Sequence, residues 1–168
     1  MKRIFFLIFA TILLASCSSA SKLNRADQPF AYEVESVGVG ADGTYAIRIW
    51  SFSKKPEITM VKPQQNAIHA TLFRGIPAGG GAVAQPPIVP SDSGYDENSP
   101  FFQEFFKTDY QRFVNSVARG SAQVVKCGRK EYKIGYVMSI AKDNLRKYLE
   151  DQGIIKSLSG IRETPYNK

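Results

Sequence analysis

Residues 131–140 read Glu131-Tyr132-Lys133-Ile134-Gly135-Tyr136-Val137-Met138-Ser139-Ile140. Tyr132, Ile134, Tyr136, Met138 and Ile140 alternate with Glu131, Lys133, Gly135, Val137 and Ser139. A period of two sends successive side chains to opposite faces of a strand, so one face is apolar and the other mixed. Tyr136, in the middle of the apolar face, is expected to be buried. Upstream, Gly128-Arg129-Lys130 reads as a turn and Gly120 to Cys127 as the partner strand, with Cys127 a buried strand cysteine. Downstream, Asp143 reads as the cap of a helix through Gln152. Leu145, Tyr148 and Leu149 point inward, Gly153 is a left-handed stop, and Ile154 folds back on the last turn.

The first third of the chain holds a second hairpin. Phe30 to Gly40 and Tyr45 to Phe52 are β-rich runs separated by Ala41-Asp42-Gly43-Thr44, and Asp-Gly in that setting is a hairpin signal. Both faces of the second run are largely apolar, which predicts a central strand. Pro63 opens a helix to Arg74 that Gly75 stops, with Val61, Ile68 and Leu72 as its stripe. Ser99-Pro100 starts another helix, in which Phe102, Phe106, Phe113 and Val117 share a face. The expected fold is α+β. Two β-hairpins form an antiparallel sheet of about four strands, with helices packed on one face.

Residues 77–99 break the composition. Gly79, Gly80 and Gly81 are followed by Pro86-Pro87 and Pro90, then by a polar, partly acidic run containing Tyr95. A loop this long is usually a lid or a flexible segment. Gly79, Gly80, Gly81 and Tyr95 are therefore the candidate partner-binding residues. The domain is expected to span 30–160 as one unit, with a polar tail at 161–168.

The sequence offers little chemistry. Its one histidine, His69, sits mid-helix. No Gly-x-Ser-x-Gly elbow occurs, and neither glycine run has the context of a nucleotide loop. A single His and one distant Cys do not make a metal cluster. Glu33 and Glu35 share a strand face and read as solvated. No catalytic residue, metal or cofactor is expected, and the chain reads as non-enzymatic.

The N-terminus reads differently. Met1-Lys2-Arg3 is followed by an apolar run from Ile4 to Leu14, too short to span a bilayer, and then by Leu14-Ala15-Ser16-Cys17. This resembles the bacterial lipoprotein signal at all four lipobox positions. The resemblance implies a signal peptide at 1–16, cleavage before Cys17, a lipid on its sulfur and an acylated new N-terminus. Residues 17–29 are then a flexible tether, polar and rich in small residues, whose dozen or so residues reach roughly 17–21 Å. No acid occurs in Ser18 to Lys22. By resemblance to known sorting rules, that implies an outer-membrane anchor with the domain facing the periplasm, the cell surface being the alternative.

The rest of the chain resembles small envelope lipoproteins common in Bacteroidota. The resemblance lies in Gly38-x-Gly40-x-Asp42-Gly43-Thr44-Tyr45, in His69…Phe73-x-Gly75, in the Phe-rich helix, and in Leu145-Arg146…Gly153-Ile154-Ile155. A strand hairpin followed by an Ala-containing helix is also similar to N-terminal domains of envelope accessory proteins. Neither resemblance carries catalytic residues. The tether, the missing catalytic set and the long Gly/Pro loop point to a non-enzymatic interaction or accessory module of an envelope assembly. The alternative is a peptide- or glycan-binding lipoprotein that uses 77–99 as a lid. The expected partners are the membrane, through lipid on Cys17, and envelope proteins. The 22 basic and 15 acidic residues give a net +7, scattered rather than blocked. With an envelope location, that argues against nucleic acid and leaves anionic lipid headgroups or glycan as natural neighbours. A deep pocket lined by Tyr or Trp under 77–99 would favour the binding reading, and a shallow surface with exposed apolar residues the interaction reading.

Overall fold

A computed structural model of the chain describes residues 24–39 and 44–157. Strand β2 (Thr44–Ser53) lies at the centre of the sheet. It pairs antiparallel with β1 (Tyr32–Val39) on one edge and β5 (Glu131–Ala141) on the other. The far edge of β5 carries β3 (Val114–Val117) and β4 (Gln123–Gly128). β3 lies opposite Met138 to Ile140 and β4 opposite Glu131 to Gly135. Both run the same way along β5, so they form one edge strand interrupted at 118–122. The expected pair of hairpins is therefore present in an α+β fold, whose five-stranded antiparallel sheet curls into a half-barrel. The predicted turn residues Ala41, Asp42 and Gly43 lie outside the described residues. So do the signal peptide, Cys17 and the tail at 161–168.

The core sits on one face of the sheet. Ile47 and Ile49 of β2 and Met138 and Ile140 of β5 are buried beneath α1 (Val61–His69), α2 (Pro100–Phe105) and α3 (Lys142–Asp151). Tyr136 shares this face but is only half-buried. It lies where β3 has ended and β4 has not begun, so one flank has no neighbouring strand. On the opposite face Trp50 and Phe52 are buried. Trp50 pairs with Gly135 and lies over it, so that a Cβ there would come within 2.7 Å of the ring. Its Nε1–H donates to Glu35 at 2.9 Å, and the Lys133 ammonium sits 4.6 Å from the ring centroid.

The helices depart from the sequence reading in instructive ways. α1 begins at Val61, ahead of Pro63, and its last turn (Ala70–Arg74) widens to a π-helix before Gly75 stops it at φ +78. The helix from Pro100 ends at Phe105 and is followed by a 3₁₀ turn (Asp109–Phe113) and then β3. The expected Phe102–Phe106–Phe113–Val117 face is thus not one helix. Val114 and Val117 are β-branched and find an open edge on β5, and that pairing overrides the local helical period. The aromatic rings still converge, and Phe102, Phe105, Phe106, Tyr110 and Phe113 are all buried. Asp143 does not cap α3. Ala141 occupies that position because β5 runs straight into the helix, which leaves Asp143 in the first turn, where it complements the helix dipole. The far end of α3 follows expectation. Gly153 is at φ +71, and the Ile154 N–H donates to the Leu149 carbonyl at 2.9 Å.

Two further corrections concern exposure. Cys127 is exposed, as are all six residues of β4, because the helical layer does not reach that strand. Residues 24–29, read as tether, are docked. A 3₁₀ turn (Arg25–Asp27) lies against the start of β5, where Arg25 pairs with Glu131 at 2.8 Å and stacks over Phe52 at 3.8 Å. Asn24 accepts from the Ala26 N–H and donates to the Lys130 carbonyl at 2.9 Å.

Candidate functional site

The glycine- and proline-rich segment is packed rather than flexible. The widened end of α1 leaves the carbonyls of Thr71 and Leu72 without partners inside the helix. They accept from the N–H groups of Ile88 (3.2 Å) and Val89 (3.0 Å), and both side chains are buried. Upstream, Ile76 and Gln85 exchange two backbone hydrogen bonds at 2.8–2.9 Å, and Gly79 and Ala82 exchange two more at 2.9–3.0 Å. The result is a tight hairpin whose tip is Gly80 (φ +57) and Gly81 (φ +80).

This tip seats on the edge of β1, where the ladder shifts register between Ser36 and Gly38. A Cβ on Gly80 would lie 2.1 Å from the Val37 carbonyl oxygen, and one on Gly79 3.1 Å from that of Ser36. Only glycine allows this approach, which covers part of an otherwise open sheet edge. A Cβ on Gly81 would meet nothing within 4 Å beyond its chain neighbours. Val37 and Val39 on β1 and Val83 on the hairpin are exposed, Val83 by 74%. Beside the hairpin an open groove of about 580 Å³ is lined by residues including Val34, Arg74, Ile76, Pro77, Pro86 and Pro87. No Tyr or Trp lines it. Tyr95 is 37% exposed and stands apart from the glycines in the acidic part of the segment, where its N–H donates to Ser93 Oγ.

That acidic part is pinned to the core through His69, a link the sequence reading did not find. His69 Nε2 lies 2.8 Å from Glu97 Oε2, and Nδ1 lies 2.7 Å from Tyr32 Oη. The carboxylate accepts, so Nε2 carries the hydrogen, and Nδ1 then accepts from the tyrosine hydroxyl. Phe30 stacks on the imidazole at 3.9 Å and adopts φ +50, while Phe73 and Phe106 enclose the other sides. Burial pushes the His69 pKa down, outweighing the Glu97 carboxylate, and burial pushes the Tyr32 hydroxyl up. Of the three, only Glu97 is open to solvent, at 43%. The order Glu–His–Tyr has the form of a relay, but its hydroxyl end is shut inside the fold. In this arrangement it holds a loop in place. The sole histidine, one turn before Phe73 and ahead of an acidic run, was the available signal.

Among the described residues no three His, Cys, Asp or Glu side chains gather as a metal site, and no helix is long and apolar enough to cross a membrane. A family model for the prokaryotic membrane lipoprotein lipid attachment site matches residues 1–18. Neither a curated protein nor a solved structure matches the chain. The match supports a bacterial lipoprotein anchored to a membrane through lipid on Cys17.

Proposed function

We propose that the chain is a non-enzymatic interaction module, held at the outer membrane with its domain in the periplasm, that offers the glycine-hairpin end of its sheet to a protein of the envelope. The observation that carries this reading is the set of exposed valines, Val37, Val39 and Val83, around a hairpin fixed rigidly to β1. A firm apolar surface beside a shallow groove suits a protein partner better than an enclosed small ligand. The absence of acid in Ser18 to Lys22, and the resemblance to envelope lipoproteins, support the assignment of membrane and facing. The second reading, glycan or peptide capture, draws on the groove and on Tyr95, an exposed ring in the same segment.

A photo-crosslinking residue at position 83 of the full-length lipoprotein tests the proposal in cells. A discrete protein adduct, lost when Val37→Glu is added, is the expected result. Recovery of peptide or glycan only would favour the second reading. No adduct of any kind would remove this surface from consideration. Cys17→Ala in the same cells should move the protein out of the membrane fraction.

A further inference from the structure

From the geometry we infer that the β4–β5 hairpin tip is a second membrane contact, docking on anionic phospholipid headgroups of the bilayer that holds the lipid. The inference rests on lipid attachment at Cys17 and is independent of the partner proposed above. The first described residue, Asn24, donates to the Lys130 carbonyl, which places the start of the described chain at this tip. Six residues lie between Cys17 and Asn24. The seven chain steps from one to the other span at most roughly 25 Å, whatever their conformation. The tip is therefore kept beside the membrane. Val37 and Val39 lie level with Met138 to Ile140, and so are set back from the tip at Glu131 by roughly 23–30 Å along the sheet.

The tip has the chemistry for that position. Lys126, Arg129 and Lys130 are exposed and form no ion pair among the described residues, and Lys55 is exposed on the neighbouring β2–α1 loop. The acids near them are mostly engaged. Glu131 pairs with Arg25, Glu33 with Lys133 and Arg25, and Asp27 with Lys54, which leaves Glu57 as an exposed acid on that loop. Val124 and Val125, 50% and 45% exposed, add apolar area on β4. Cations with no ion-pair partner among the described residues, beside apolar side chains, match an anionic interface, where attraction fades within a Debye length of roughly 8 Å.

Cys127 lies in this hairpin and is the one thiol left when Cys17 carries lipid. The test reconstitutes the mature lipidated protein into phosphatidylcholine vesicles with and without phosphatidylglycerol and measures maleimide labelling of Cys127, normalised to the rate in detergent. The expected result is labelling slower by about fivefold or more on the anionic vesicles. About 0.5 M salt should remove the difference, because screening weakens the attraction. The charge-reversed variant K126E/R129E/K130E should remove it too. A thiol placed at the far end by Val83→Cys in a Cys127→Ser background should label equally on both vesicles. Flotation of the protein with the vesicles reports the lipid anchor separately. Equal labelling of Cys127 on both vesicles overturns the inference. Protection that grows with protein concentration in detergent also overturns it, and assigns the hairpin to a second copy of the chain.

Discussion

β4 and the 76–89 segment make opposite use of the chain. β4 pairs with β5 along its length, with one register shift between Lys126 and Gly128, yet every one of its residues is exposed. The 76–89 segment has only two isolated bridges, yet it contributes Ile76, Ala82, Ile88 and Val89 to the buried set. Regular hydrogen bonding and burial are thus separable. A strand can be ordered by one neighbour while adding little to the core. An irregular segment can be part of the core if its N–H groups meet carbonyls that need partners.

The comparison breaks most directly by deletion. Removing Gly79–Val89 should abolish cooperative folding, because it empties the space under Ile88 and Val89 and strands the Thr71 and Leu72 carbonyls. Loss of the thermal transition in circular dichroism is the expected outcome. A melt like that of the wild type would return the segment to the status of a passive loop. Next in size is Gly80→Ala, which must move the Val37 carbonyl and should destabilise by about 3 kcal/mol or more. Gly81→Ala, strained in φ but free of contacts, should cost only about 1 kcal/mol. Urea titrations of the two variants measure the gap, and equal costs would mean the tip does not sit on β1.

A third test probes the pin at the far end of the segment. His69 is held neutral by burial, with its folded pKa below the unfolded value of about 6.5. The unfolded chain therefore takes up a proton first. The contribution of His69 is fully present above pH 6.5 and is lost as pH falls from there toward the folded value, by at most ~1.4 kcal/mol per pH unit. Urea midpoints between pH 7.5 and 5.5 should show this slope, and His69→Gln should flatten it. An unchanged slope in that variant would assign the acid sensitivity elsewhere. The smallest effect belongs to β4. Val125→Ser should change stability by no more than about 0.5 kcal/mol, as expected of an exposed site. A loss near 2 kcal/mol would mean that β4 is covered in the folded protein.

What could be read from the sequence followed from local rules. The alternation in 131–140, the two apolar faces of 45–52 and the stop at Gly153 each depend on residues close together in the chain. They gave the strands, the central position of β2 and the end of α3. What could not be read depended on distant pairing. Nothing near Val114 announces a free edge on β5, and nothing near Ile88 announces unsatisfied carbonyls at the end of α1. Composition misled for the same reason. Glycines usually mark flexibility, but here two of them permit contact with a backbone brought from forty residues away. For the candidate site, the glycines and Tyr95 were correctly placed in one segment by order alone. Their different surroundings, and the Glu97–His69–Tyr32 link, required the fold.

The central ladder also sets a schedule. It joins β2, Thr44–Ser53, to Tyr132–Ala141 of β5, so the middle of the sheet closes a loop of some eighty residues. Such non-local pairings form slowly, since chain entropy must be lost before any contact is gained. A lipoprotein chain that crosses its membrane from the N-terminus delivers β2, apolar on both faces, well before β5 arrives. During that interval β1 can cover one edge of β2 while the edge that β5 will fill stays open, and the tethered end of the chain is already fixed at the bilayer. The most aggregation-prone strand therefore waits beside the membrane, on a short leash, for the last strand of the sheet.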